Sequence, residues 1–152
     1  MYRDIMPKVI LEPACGRGTM SRYLETEMPE KKIISSDLVG RGFGFPFVDF
    51  MDVPLLYGNF GIITNPPFSL ASQFITHSHK IGSSFTALLL KANYFNVGRN
   101  AKLWHMYPPK AQHPLTWRVD FTGDGSPVMD CTWYVWGPRV PVSTEPMEKP
   151  KC

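Results

Sequence analysis

The chain has 152 residues and a formal net charge of +3, from 16 Lys and Arg against 13 Asp and Glu, which is one domain's length and too slight a charge to name a nucleic-acid partner by itself. Hydrophobic residues at 43% and charged residues at 19% exclude disordered, collagen-like and supercharged chains. At this size folding buries roughly 70% of the unfolded surface, so no metal or disulfide staple is required.

Short β-prone runs alternate with helix-compatible stretches through the first half. Lys8 to Leu11, Lys32 to Ser35 and Gly61 to Thr64 read as strands, and Met20 to Glu27 and Ala71 to His79 as helices. That alternation predicts βαβ units and an α/β fold with a mostly parallel sheet, helices on both faces. Phe85 to Leu90 (FTALLL) is an unbroken apolar run, as in a strand buried on both sides at the sheet centre. Thr116 to Phe121 and Asp130 to Trp136 flank the turn-rich Thr122 to Pro127, which predicts a C-terminal antiparallel β-hairpin. Four prolines among residues 138–152 predict a mobile tail beyond a single domain of residues 1–137.

Cys15, Cys131 and Cys152 are odd in number and widely spaced, which argues against a disulfide framework or zinc site and fits reduced thiols in a cytoplasm. No run reaches the roughly 18 apolar residues of a membrane span, and Met1 to Val9 lacks the apolar core of a signal peptide. His77 and His79 point to different faces of a helix, so no metal site is expected.

Four strand ends carry candidate chemistry. Leu11 to Gly18 (LEPACGRG) follows the first strand and opens a helix; its glycines let a ligand approach the backbone, and the helix start offers free N–H groups. About twenty residues on, Asp37 and Leu38 end the second strand, where a carboxylate meets ribose hydroxyls; a turn or cap aspartate is the alternative. Asp49, ahead of Asp52, is the preferred acceptor for an exocyclic amine, and Phe50 a wall for an adenine ring. The most specific signal is Asn65-Pro66-Pro67-Phe68 after Gly61 to Thr64. Its two prolines fix φ and remove donors, leaving the Asn65 side-chain oxygen, the Pro66 carbonyl and the Phe68 ring to hold a planar amine.

In order, EPACGRG, SSDL, DF and NPPF resemble the class I S-adenosyl-L-methionine (SAM) dependent methyltransferases, and among them the DNA adenine-N6 methyltransferases with Asn-Pro-Pro-aromatic loops. FTGDG and TWYVWG are similar to small bacteriophage-encoded members. Over roughly residues 8–137 the resemblance implies a Rossmann-like domain and SAM as cofactor. It implies cofactor contacts from Glu12, Pro13, Ala14, Cys15, Gly16, Gly18, Asp37, Leu38, Asp49, Phe50 and Asn65, with Glu12 near the methionine end, and a catalytic loop of Asn65, Pro66, Pro67 and Phe68. The implied partner is DNA, as a duplex with a flipped adenine or as a single strand.

Many such enzymes carry a separate recognition region, for which this chain leaves no room, so loose or partner-supplied specificity is expected. Lys91, Arg99, Lys102 and Lys110, interleaved with Tyr94, Phe95, Trp104 and Tyr107, are candidate DNA contacts, or else a solvated face and core residues. A protein glutamine-N5 or RNA methyltransferase and a SAM-binding, non-catalytic subunit remain alternatives.

Overall fold

A computed structural model describes residues 1–96, 98–121, 125 and 127–149. Its elements are β1 Val9–Glu12, α1 Thr19–Glu27, β2 Lys32–Asp37, β3 Phe45–Pro46, β4 Phe60–Thr64, α2 Ala71–Lys80, β5 Phe85–Lys91, α3 Ala101–Met106, β6 Ala111–Pro114, β7 Cys131–Trp136 and β8 Ser143–Thr144. They form one sheet of order β3-β2-β1-β4-β5-β7-β6-β8. Only β7 among them runs against its neighbours.

The FTALLL run takes the expected central place. Phe85 to Leu90 are all buried, and the strand then ends on exposed Lys91. Period-two alternation sends Leu88 and Leu90 to one face, against Phe74 and Ile75 of α2, and Phe85 and Ala87 to the other, in the cluster with Leu24 of α1. All five residues of β4 are likewise buried, as a parallel strand covered on both faces requires. Helices therefore lie on both faces.

The C-terminal hairpin exists, but with an earlier first strand. It pairs Ala111–Pro114 with β7, from Ala111 opposite Val135 to Pro114 opposite Thr132. Thr116 to Phe121 has the right residue pattern but does not pair with β7, which starts only at Cys131; Thr116 instead donates its N–H to the Met147 carbonyl. Across that gap Arg118 reaches Asp130 by side chain, at 2.8 Å. Of the expected turn, Thr122, Gly123, Asp124 and Ser126 lie outside the described residues.

The segment beyond Gly137, expected as a tail, lies along the sheet edge. Ser143, Glu145 and Met147 donate backbone N–H groups to Lys110, Gln112 and Pro114. In an edge strand only alternate residues bond inward, and Pro146 falls between two donors, so no ladder bond is lost. Val140 is also buried, at 6% exposure.

Gly61 in β4 sets the spacing at the sheet centre. A Cβ there would lie 3.0 Å from Ile10 Cδ1, 3.2 Å from the Phe85 carbonyl oxygen and 3.3 Å from Pro7 Cδ. The Ile10 methyl can swing aside, but the Phe85 carbonyl belongs to the sheet. Gly61→Ala is expected to cost about 1–3 kcal/mol by overpacking, read as a lower urea midpoint at unchanged m-value.

Candidate active site

The strand order reverses between β1 and β4: β2 and β3 lie to one side, β5 to the other. Ligands of open α/β sheets sit in the crevice at such a reversal, beyond the carboxyl ends of the strands. Leu11 pairs with Ile62, so the turn after Glu12 and the loop after Thr64 emerge side by side.

Asp37 organises the first turn. One carboxylate oxygen accepts the Gly16 N–H and the other the Val39 N–H, both at 2.8 Å, while the Cys15 N–H bonds the Ser36 carbonyl at 3.0 Å. Asp37 is thus first a clamp fastening the glycine turn to β2, although each oxygen keeps a further lone pair. Gly16, at φ 57°, has open space where a Cβ would project. Pro13 and Cys15 are buried, Ala14 half-buried and Leu38 55% exposed. Helix α1 starts at Gly18 without a side-chain cap, so its first N–H groups remain available to an anion.

Glu12 points away from the opening. It is 2% exposed and accepts a hydrogen bond from the Ser21 hydroxyl, which in turn accepts one from Ser35 at 2.7 Å. This chain ties β1, α1 and β2 together beneath the glycine turn. Burial pushes the Glu12 carboxyl up to about 7, and the nearby Asp37 charge adds to the rise.

Gly18 is filled rather than open. Its φ is 82°, and a Cβ would lie 2.3 Å from Phe43 Cγ; the Arg22 guanidinium stands 4.5 Å from the same ring's centroid. Gly42 and Gly44, both at positive φ, flank Phe43, and Gly44 presses on the Ser35 carbonyl. Of the two glycines, Gly16 is the one with open space where a Cβ would project. Nothing in the order of residues flags the contact of Gly18 with Phe43 across 25 positions.

Asp49 and Phe50 fall after β3. Asp49 caps a short 3-10 turn, Phe50–Asp52, by accepting the Met51 N–H at 2.8 Å. Phe50, expected as a wall for an adenine, is 3% exposed and packs on Phe74 with ring centroids 4.8 Å apart. It is core because its 3-10 turn faces α2.

The loop after β4 is the most unusual part. Thr64 Oγ1 and Asn65 Oδ1 are buried without a hydrogen-bond partner among the described residues, and they are adjacent in sequence. Leaving a buried acceptor unpaired costs about 1–3 kcal/mol. The following turn closes on the Pro67 carbonyl, which accepts the Leu70 N–H at 2.8 Å. The Pro66 carbonyl, next in sequence to Asn65, is not part of that turn's bond. Phe68 is half-buried, with the Lys91 ammonium 5.5 Å from its ring centroid and the Phe121 ring 6.1 Å away at 80°.

The candidate DNA contacts are parted by the sheet. Lys91 ends β5 on the crevice side. Lys110 donates its N–H to Val135, and the Tyr107 carbonyl accepts from Trp136 Nε1, so both sit at the opposite end. Phe95 and Trp104 meet at 5.0 Å and line a cleft of about 260 Å³. Lys102 is exposed, and the Arg99 side chain lies outside the described residues. Among the described residues no three potential ligands cluster for a metal, and no helix is long and apolar enough to cross a membrane.

No protein-family model and no curated protein sequence matches the chain. Solved structures do. A candidate RNA methyltransferase from Pyrococcus horikoshii aligns over 88% of this chain and 76% of its own, with TM-score 0.62 and 15% identity. A dimethyladenosine transferase from Plasmodium falciparum aligns over 88% and 57%, with TM-score 0.56 and 17% identity. The chain has the class I methyltransferase fold. A Burkholderia thailandensis 1,6-didemethyltoxoflavin-N1-methyltransferase, solved with S-adenosylhomocysteine, aligns over 88% and 72%, with TM-score 0.55 and 13% identity.

Two outcomes follow from the glycine turn and the carboxyl beneath it. Gly16→Ala should cost about 1–2 kcal/mol for its left-handed backbone, and Gly18→Ala more, because of Phe43. Removing the ring should relieve that excess: in a double-mutant cycle by urea denaturation, Gly18→Ala is expected to cost less in a Phe43→Ala background. The folded state prefers Glu12 protonated, so its ionisation lowers stability as pH rises from about 4.5 to about 7. Glu12→Gln should remove that component, giving a flatter melting temperature over this window than the wild type.

Proposed function

We propose that this chain is a SAM-dependent methyltransferase acting on the exocyclic N6 amine of adenine in DNA. The observation that carries the reading is the buried Asn65 side-chain oxygen, without a partner among the described residues, followed in sequence by the Pro66 carbonyl. Two adjacent acceptors with no donor between them suit a group with two N–H bonds on one nitrogen.

The crevice suits the cofactor. The open face of Gly16, the uncapped start of α1 and the spare lone pairs of Asp37 and Asp49 would hold SAM. Bound there, it supplies a methyl group activated on a sulfonium. Glu12, facing Ser21, supports this ground from below.

The chain's own residues act on the amine. Adenine's N6 is a poor nucleophile because its lone pair is delocalised into the ring. Asn65 Oδ1 and the Pro66 carbonyl accept its two N–H bonds, draw the nitrogen toward tetrahedral geometry and stabilise the positive charge that develops. No strong general base is needed. Phe68 offers a flat face to a base taken out of its stack, offsetting part of an unstacking cost of a few kcal/mol. The rigidity of Pro66 and Pro67 holds these groups in place before the acceptor arrives.

An RNA acceptor is the second reading, favoured by the activities named for the structural neighbours from P. horikoshii and P. falciparum. Incubation with methyl-labelled SAM and either DNA or RNA, followed by nucleoside mass spectrometry, separates the two. Label on N6 of deoxyadenosine is the expected result; label only in RNA would transfer the reading to RNA, and none in either would overturn it. Asn65→Ala should lower the rate on the order of a hundredfold or more while calorimetric SAM affinity stays near wild type.

A further inference from the structure

We propose that Lys91 binds a phosphate of the acceptor strand, next to the nucleotide whose base lies on Phe68; this rests on the nucleic-acid reading above and adds that the acceptor is a polyanion. Lys91 closes β5 after six buried residues, one strand from the loop that carries Phe68. Its Nζ stands 5.5 Å from the Phe68 ring centroid, within reach of a cation–π attraction that is weak at exposed sites.

The surrounding carboxylates are already engaged. Asp130 precedes Cys131, the residue paired with Lys91, but its carboxylate takes Arg118 at 2.8 Å. Asp120 accepts the Gly125 N–H at 2.7 Å. No carboxylate lies within 4 Å of Lys91 among the described residues. Among the described residues the ammonium therefore has no ion-pair partner and stands near an aromatic face. Phe121, 45% exposed and 80° from Phe68, makes a corner with that ring. A planar base fits such a corner, and the phosphate one sugar away gives the ammonium a partner of full charge. An amide acceptor in a protein offers the plane without the anion.

Lys91→Met keeps the stem and removes the charge. Fluorescence anisotropy with a labelled, adenine-containing single-stranded oligodeoxynucleotide should be run for wild type, Lys91→Met and Lys91→Arg across a salt series. One lost phosphate contact should make the slope of log affinity against log salt shallower by about 0.7 in Lys91→Met. Lys91→Arg should restore it, and calorimetric SAM affinity should be the same in all three. Equal slopes for wild type and Lys91→Met would overturn the role of Lys91, while methylated adenine in the same preparations would leave the function standing. Failure of the wild type to bind any oligonucleotide would overturn both.

Discussion

The pairing of β1 with β4 is the constraint on which the rest depends. Because the chain leaves β1 toward β2 and returns at β4 on the other side, two loops distant in sequence share one crevice. Each end of that pair is specialised: after β1 the uncapped start of α1 offers backbone donors, and after β4 the Asn65 side-chain oxygen and the Pro66 carbonyl offer acceptors. Donors facing acceptors across a crevice can hold an anionic or hydroxylated group on one side and an amine on the other. Of the two strands beneath, β4 is buried along its whole length and β1 at alternate residues, so the crevice rests on packed sheet.

That floor contains a polar column. Glu12, Ser21 and Ser35 come from three elements and join in one hydrogen-bonded chain where hydrophobic packing would otherwise be expected. A carboxyl titrating near neutrality can persist there because its hydroxyl partners satisfy it, and its protonated form adds a donor. Asp37, one register step along, remains the clamp on Gly16. Two carboxyl groups of the same region thus divide the work: one binds elements together inside the layer, the other shapes the turn at its rim.

How much of this was legible in the sequence follows from the range of each interaction. FTALLL declared a central strand because double-sided burial leaves a continuous apolar run, and the FGIIT strand before NPPF was legible on the same ground. Other features depend on partners far away. Phe50 reads as a free aromatic until α2 is seen to cover it, and Thr116 to Phe121 reads as a strand until β7 is seen to begin too late. The prolines after Gly137 read as a break, yet Pro146 falls between two inward donors and spares the edge ladder.

Gly18 shows the same limit within the best-recognised motif. Its neighbour Gly16 is open, so the two glycines of one short turn serve different ends: one leaves room for a ligand, the other for Phe43. The ring lies against Gly18 and within 4.5 Å of the Arg22 guanidinium, so that glycine is covered by the chain itself. An acceptor left unpaired in a folded chain is a standing cost that packing elsewhere has to cover. Thr64 Oγ1 and Asn65 Oδ1 are both in that condition at one strand end, and a donor that reached them would relieve the cost.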